Sequence, residues 1–235
     1  MDSTDFSDEE LAQLRAHGIV LFADRVIFDA QPPMRPAEID AVQDRVGGEL
    51  PQALIALWET TAGGRLDYDL RVSMHGRDEA VSWCELFYNG SDGYRDLAGW
   101  IDHERECAQQ GADERREAWN GRLFALPFGG FEYCDRVYVV IAPEADDHGH
   151  VLAWKMGLPP AWRGAMHADG LGLIATDLHA AFRALRLDAD PLEPTSDYGA
   201  GSDCFDYIDR RRDDFGMSPI LADKVIDFYR KAWTN

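Results

Sequence analysis

One stretch in the second half of the chain, VYVVIAPEADDHGHVLAWK at residues 137–155, decides the fold class. Its two ends, 137–142 and 151–155, are short runs rich in β-branched, aromatic and other apolar residues, a composition typical of strands. The middle, 143–149, contains Pro, Asp, His and Gly, which favour turns. The sequence therefore predicts that the two ends pair as an antiparallel β-hairpin.

Strand-like and helical segments follow one another irregularly on both sides of this hairpin. Apolar residues alternate with charged ones in 66–72, which predicts a half-buried strand. Further strands are predicted at 81–88, 123–126 and 171–175, and helices at 36–46, 51–62, 94–119 and 177–185. Because strands and helices do not alternate strictly, we expect an α+β fold, with a largely antiparallel sheet and packed helices.

Residues that break helices and strands, and changes in the spacing of apolar residues, divide the chain into three zones. These are an N-terminal lead segment packed on the main domain (1–35), the main domain (36–186) and a C-terminal extension (187–235). The lead segment opens with a capping box formed by Ser7 and Glu10, which predicts a helix start.

The C-terminal extension is predicted to consist of two parts. Residues 190–206 have the composition of a loop. Residues 219–233 carry apolar side chains at helical spacing, which predicts a terminal amphipathic helix.

The chain is strongly acidic, with 43 Asp and Glu against 23 Lys and Arg, a net charge of −20 at pH 7. Such a surface repels nucleic acids and anionic membranes, so neither is an expected partner. The sequence has no apolar run of about 18 residues, and its acidic first residues do not have the pattern of a signal peptide, so we expect neither a membrane span nor secretion. We therefore expect a cytoplasmic protein with reduced cysteines.

Motifs for catalysis or metal binding are weak. His148-Gly149-His150, beside Asp146 and Asp147, has the spacing of a metal pair, but its composition is also that of a solvated turn. Cys134 adjoins Asp135 without a local His that could serve as its base. We therefore expect no cofactor, no metal and no enzymatic activity.

Several different short motifs follow one another along the main domain. They are Ala37-Glu38-Ile39 followed by Gly47 and Leu50-Pro51, then Leu54, Leu57 and Trp58 followed by Gly63-Gly64, then Leu126-Pro127-Phe128-Gly129-Gly130 ahead of Asp135, and the closing helix 177–185. With these motifs, residues 36–186 resemble the SMI1/KNR4 family, also called the SUKH superfamily. Ala62 stands where Asn is common in that family.

The resemblance implies an α+β domain that binds other proteins and has no catalysis of its own. Bacterial members of the family are commonly immunity proteins, which bind and neutralise a cognate toxin domain. Many such toxins are nucleases with basic clefts, and an acidic protein complements them in charge.

The carboxylates on the predicted sheet and its loops are the candidates for contact with a basic toxin surface, with one tryptophan as an apolar anchor. These partner-binding candidates are Asp67, Asp69, Glu132, Asp135, Asp146, Asp147 and Trp162. Two alternatives remain open on the sequence alone. One is a regulatory scaffold with an endogenous partner, and the other is a metal-dependent or cysteine-dependent hydrolase that uses His148, His150 or Cys134.

Overall fold

The computed structural model of this protein describes residues 5–91, 96–132, 134–156, 171–190 and 202–233, and within them the chain has an α+β fold. The helices are α1 (Asp8–Ala16), α2 (Pro36–Val46), α3 (Gln52–Thr60), α4 (Leu97–Arg115), α5 (Leu178–Ala184), α6 (Ser202–Phe215) and α7 (Pro219–Arg230). The strands are β1 (Val20–Phe22), β2 (Arg25–Ile27), β3 (Gly64–Arg65), β4 (Arg71–Met74), β5 (Arg77–Ala80), β6 (Glu85–Leu86), β7 (Ala125–Phe131), β8 (Asp135–Val140), β9 (Val151–Lys155) and β10 (Gly172–Ala175).

A six-stranded antiparallel sheet organises the fold. Its strand order is β10-β9-β8-β7-β6-β3, and every neighbouring pair is antiparallel. The hairpin predicted from 137–155 is confirmed as β8 and β9, in which Val139 lies opposite Val151. The predicted fold class, α+β with a largely antiparallel sheet, is therefore confirmed. Strands β1–β2 and β4–β5 form two separate hairpins.

One face of the sheet packs against the main apolar core. Leu126 and Phe128 of β7 and Val137 of β8 point to this face and are at most 1% exposed. The Phe128 ring packs edge-to-face on Trp83, with 5.6 Å between centroids, and Trp83 packs in the same way on Phe182 of α5. Each such buried side chain contributes about 1.5–3 kcal/mol, so this layer holds α5 on the sheet.

Helix α4 packs on the opposite face of the sheet through Glu104, whereas Leu97, Trp100 and Ile101 at its start belong to the main apolar core. Tyr138 and Val140 of β8 form a second, smaller apolar cluster there with Leu152 of β9. The Tyr138 hydroxyl donates a hydrogen bond of 3.2 Å to Glu104 on the buried side of α4. This contact fixes the rotation of α4, and the other side of the helix faces solvent.

The continuous strand predicted at 66–72 is wrong, although its alternating burial is correct. Leu66, Tyr68 and Leu70 are buried as predicted. After Leu66, whose amide donates to the Cys84 carbonyl, the backbone leaves the sheet and joins the β4–β5 hairpin only at Arg71. Between them, the Asp69 amide donates to the Arg186 carbonyl.

The strand predicted at 81–88 is confirmed only over β6. Pro127 of β7 has no amide to donate to this segment, and on the other side of β7 a bulge between Pro127 and Gly129 shifts the register with β8. The Phe87 amide still donates to the Phe128 carbonyl, so the ladder continues irregularly beyond Leu86.

The two ends of the chain pack together on the main core. The predicted helix start at Ser7 is confirmed by a capping box with Glu10. The predicted terminal helix is confirmed as α7, whose Phe228 ring packs on Phe6, with 5.5 Å between centroids. The predicted loop over 190–206 is wrong from Ser202 onward, where α6 begins.

Candidate protein-binding surface

Three of the predicted partner-binding carboxylates, Asp67, Glu132 and Asp135, lie near the end of the sheet where β7 turns into β8. Burial raises the pKa of the Cys84 thiol to about 11, and the nearby charges of Asp67, Glu85 and Asp135 add to the shift. A thiol with this pKa is protonated at neutral pH and is not a nucleophile.

The turn between β7 and β8 adds a carboxylate to the same neighbourhood. Burial raises the pKa of Glu85, Arg65 opposes this shift, and the Glu132 carboxylate adds to it. Glu132 has a backbone φ of +47°, and its carbonyl accepts a hydrogen bond of 3.1 Å from Arg136. Glu132 is half-buried, so its side chain is within reach of a partner.

Asp135 is buried, with 4% of its surface exposed. Its carboxylate accepts a hydrogen bond of 2.6 Å from the amide of Ser82. The side chain thus ties β8 to the segment that follows β5, and it presents little surface to a partner.

Asp67 and Asp69 are half-buried and are held by the C-terminal part of the chain. The Asp67 carbonyl accepts a hydrogen bond from the Tyr229 hydroxyl of α7. The Asp69 carboxylate accepts one of 2.8 Å from the Asp188 amide. Both residues position the segment 187–190 and α7 on the core.

Asp146 and Asp147 lie at the other end of the sheet, in the turn between β8 and β9. Asp146 is exposed, and Asp147 is half-buried. Asp135 is the first of the six residues of β8, a strand about 20 Å long, and the turn follows the other end of this strand. The predicted carboxylates are therefore divided between two ends of the sheet, and Trp162 lies outside the described residues.

The two histidines of the candidate metal motif are in a tight turn. The His148 ring nitrogen Nε2 lies 2.9 Å from the carbonyl oxygen of Glu49, a distance that requires this nitrogen to donate its proton there. The amide of His150 donates to the Asp147 carbonyl. Over the ranges that the structure describes, no group of three or more His, Cys, Asp or Glu side chains has the geometry to hold a metal ion.

A cysteine–histidine pair occurs on α4, where the sequence analysis did not place one. Cys107 Sγ lies 3.8 Å from His103 Nε2, one helical turn earlier, and the His103 ring packs on Trp100. The spacing of four residues on a predicted helix could have revealed this pair. Cys134, which the alternative of a cysteine-dependent hydrolase would use, lies in the β7–β8 turn, where its amide donates to the Phe131 carbonyl.

The solvent-facing side of α4, together with Trp119, forms a shallow acidic groove that is largely open to solvent and that was not predicted from the sequence. The groove has a volume of about 690 Å³. It is lined by Asp102, Arg105, Glu106, Gln109, Gln110, Asp113, Glu114 and Trp119. The repeat of acidic residues along the predicted helix was visible in the sequence, but the position of Trp119 was not, because the turn after α4 brings it back against the helix.

The chain matches no protein-family model, no curated protein and no solved structure in comparisons with all three. Among the helices in the described ranges, none has the length and apolar character needed to cross a membrane.

Proposed function

We propose that this chain is a non-catalytic protein-binding domain of the SMI1/KNR4 type that binds a cognate toxin domain and neutralises it. The observation that carries this proposal is the acidic groove on α4, in a protein whose net charge is −20. A groove whose lining includes four carboxylates, Asp102, Glu106, Asp113 and Glu114, offers electrostatic steering to a basic protein surface.

The fold supports the same proposal. The motifs on which the resemblance rests lie on α2 and α3 in succession, then on β7, which contains Gly129 and Gly130, and then on α5. The antiparallel sheet and its two helical layers form a rigid scaffold, on which α4 is held at one rotation by Glu104 and Tyr138.

Affinity capture tests the proposal. The full chain is used as bait in an extract of the source cell, at low and at moderate salt, and captured proteins are identified by mass spectrometry. We expect one basic polypeptide whose yield falls with salt, because exposed charge pairs are screened. Capture of metabolic enzymes with a yield independent of salt would instead favour a regulatory scaffold and would contradict the proposal.

A further inference from the structure

The chain contains two Asn-Gly pairs, Asn89-Gly90 and Asn120-Gly121, and the proposed function uses neither. In such a pair the backbone nitrogen of the glycine can attack the side-chain carbonyl carbon of the asparagine, because glycine has no Cβ to obstruct the approach. Both asparagines are exposed, and both glycines have a positive φ, +87° at Gly90 and +79° at Gly121. Sequence and exposure therefore do not distinguish the two pairs, whereas their hydrogen bonds do.

The Asn120 side chain is folded back over the glycine that follows it. Its Oδ1 accepts a hydrogen bond of 3.0 Å from the amide of Arg122, two residues further on, which forms an Asx-turn. In this turn the side-chain carbonyl lies along the backbone, on the side of the Gly121 nitrogen. Holding two reacting groups next to each other in this way raises the rate of their reaction.

The Gly121 nitrogen is available for this attack. In the part of the chain that the structure describes, the Gly121 amide donates a hydrogen bond to no acceptor. A Cβ built at Gly121 would meet no atom within 4 Å, so the space around the residue is open. Because Asn120 is exposed, water also reaches the pair.

A chain of hydrogen bonds stabilises the charge that the attack develops on Asn120. The attack turns the side-chain oxygen Oδ1 into an oxyanion, and the Arg122 amide donates to this atom. The Gly121 carbonyl belongs to the same peptide group as the Arg122 amide, and it accepts a hydrogen bond of 3.0 Å from the Arg105 guanidinium. Since hydrogen bonds in such a chain polarise one another, Arg105 makes the Arg122 amide a stronger donor.

The pair Asn89-Gly90 has a different arrangement. Asn89 Oδ1 accepts a hydrogen bond of 2.9 Å from the amide of Ala98, in the first turn of α4. The Gly90 amide donates a hydrogen bond of 3.5 Å to the Asp96 carboxylate. The Asn89 side chain is thus held on the start of α4, and the nitrogen that would attack it is engaged.

We propose that Asn120 is a site of spontaneous modification, at which cyclisation and hydrolysis by water convert asparagine into aspartate and isoaspartate. The Gly121 nitrogen loses its proton to the solvent and forms a bond to Cγ of Asn120. The side-chain nitrogen of Asn120 takes up a proton and leaves as ammonia. Water then opens the succinimide ring at either of its two carbonyls. Nothing is oxidised or reduced, and the inference does not depend on the proposed function.

Isoaspartate at position 120 alters the turn between α4 and β7. When water opens the ring at the main-chain carbonyl, the backbone runs through the former side chain and is longer by a methylene group. The native turn is held by Trp119 Nε1, which donates a hydrogen bond of 3.1 Å to the Arg122 carbonyl, and by the Leu123 amide, which donates one of 2.9 Å to the Val46 carbonyl. We therefore expect the isoaspartate form to melt at a lower temperature than the unmodified protein.

Peptide mapping by mass spectrometry tests the proposal on the wild-type chain. Folded protein is kept in mildly alkaline buffer, and conversion at Asn120 and at Asn89 is measured in the same digests over time. We expect Asn120 to be converted about ten times faster than Asn89, since one donor to an oxyanion accounts for a factor of this size or more. Equal rates in the folded chain, or faster conversion of Asn89, would overturn the proposal.

The unfolded chain is the control for the effect of sequence. In guanidinium chloride the hydrogen bonds of both pairs are lost, and both asparagines still precede a glycine. We expect the two rates to become nearly equal there. If Asn120 kept its full advantage in the unfolded chain, the structure would not be the cause, and the proposal would be overturned.

Two variants separate the charge of the product from the change in the backbone. Asn120→Asp supplies the new charge without the additional methylene group, so we expect it to melt as the unmodified wild type does. Asn120→Gln should show no conversion at position 120, because its side chain would have to close a larger and less favourable ring. If aged wild-type protein that carries isoaspartate melts no lower than Asn120→Asp, the expected effect on the turn is wrong.

Discussion

Asp135 shows how a single residue can be predicted for one role and placed by the fold in another. The sequence predicts a carboxylate at the start of a strand beside a turn, a common position for a binding residue. The structure buries it against the Ser82 amide, from a segment 53 residues away. Sequence spacing does not reveal contacts of this range, so the burial of Asp135 could not be predicted.

Replacing Asp135 tests its structural role. We expect Asp135→Ala to lower the free energy of unfolding by about 1–3 kcal/mol, because the Ser82 amide loses its acceptor in a half-buried position. Urea unfolding measures this change. Asp146→Ala is the control, since Asp146 is exposed and its removal is expected to change stability by less than about 0.5 kcal/mol. Equal stability of the two variants would contradict the assignment.

Elements with a strong local signal were predictable from the sequence. The β8–β9 hairpin and helices α1, α2 and α7 follow from turn composition, capping residues and apolar periodicity. Elements whose limits depend on contacts with residues distant in the sequence were not predictable in this way. In the segment 66–72, apolar and charged residues alternate as in a strand, but Asp69 pairs with Arg186, which is distant in the sequence. Helix α6 has many charged residues and few apolar ones, so its apolar periodicity is too weak to predict a helix.

Two serines at helix starts make a matched pair for testing the capping assignment. The Ser7 hydroxyl accepts a hydrogen bond from the Glu10 amide, whereas Ser218 at the start of α7 forms no side-chain cap. We expect Ser7→Ala to cost about 0.5–2 kcal/mol of stability and Ser218→Ala to cost markedly less. Chemical denaturation of both variants measures the difference. A larger loss for Ser218→Ala would contradict the assignment of the N-terminal cap.

The whole molecule is held by contacts between its N-terminal and C-terminal parts. The Tyr207 hydroxyl and the Arg211 guanidinium of α6 donate to the His17 carbonyl at the end of α1, at 2.9 and 3.1 Å. Val225 and Tyr229 of α7 are fully buried in the main core. The C-terminal extension is therefore part of the apolar core in the described residues.

Removing residues 190–235 tests this role of the extension. We expect the truncated chain to lose its cooperative thermal transition, because the buried side chains of α6 and α7 together contribute as much as the whole net stability of an ordinary domain, about 5–15 kcal/mol. Circular dichroism on heating measures the transition. An unchanged melting temperature with lost toxin binding would show that the extension contacts the partner and is not structural.

The ion pair between the two ends makes stability depend on pH. Lys224 Nζ donates hydrogen bonds of 2.8 and 2.7 Å to Glu10, and these, followed by the hydrogen bond from the Ser7 amide, lower the pKa of Glu10 from its ordinary value of 4.5. A carboxylate whose pKa is lower in the folded state stabilises the protein above its unfolded pKa, and this contribution is lost as the pH falls through the folded pKa.

We therefore expect Glu10→Gln, which keeps the capping box, to be less stable than the wild type at neutral pH. The difference should shrink as the pH falls below 4.5, the ordinary pKa. Urea unfolding at several pH values measures it. A difference that stays constant into the acid range would show that the charge of Glu10 does not contribute.

Neutralisation of a toxin is the central claim, and a growth selection tests it most directly. A library of fragments from the source genome is expressed in a host cell with and without this chain. The account predicts a fragment that stops growth when it is expressed alone and that is tolerated when the chain is present. If every toxic fragment stops growth equally with and without the chain, the account is contradicted.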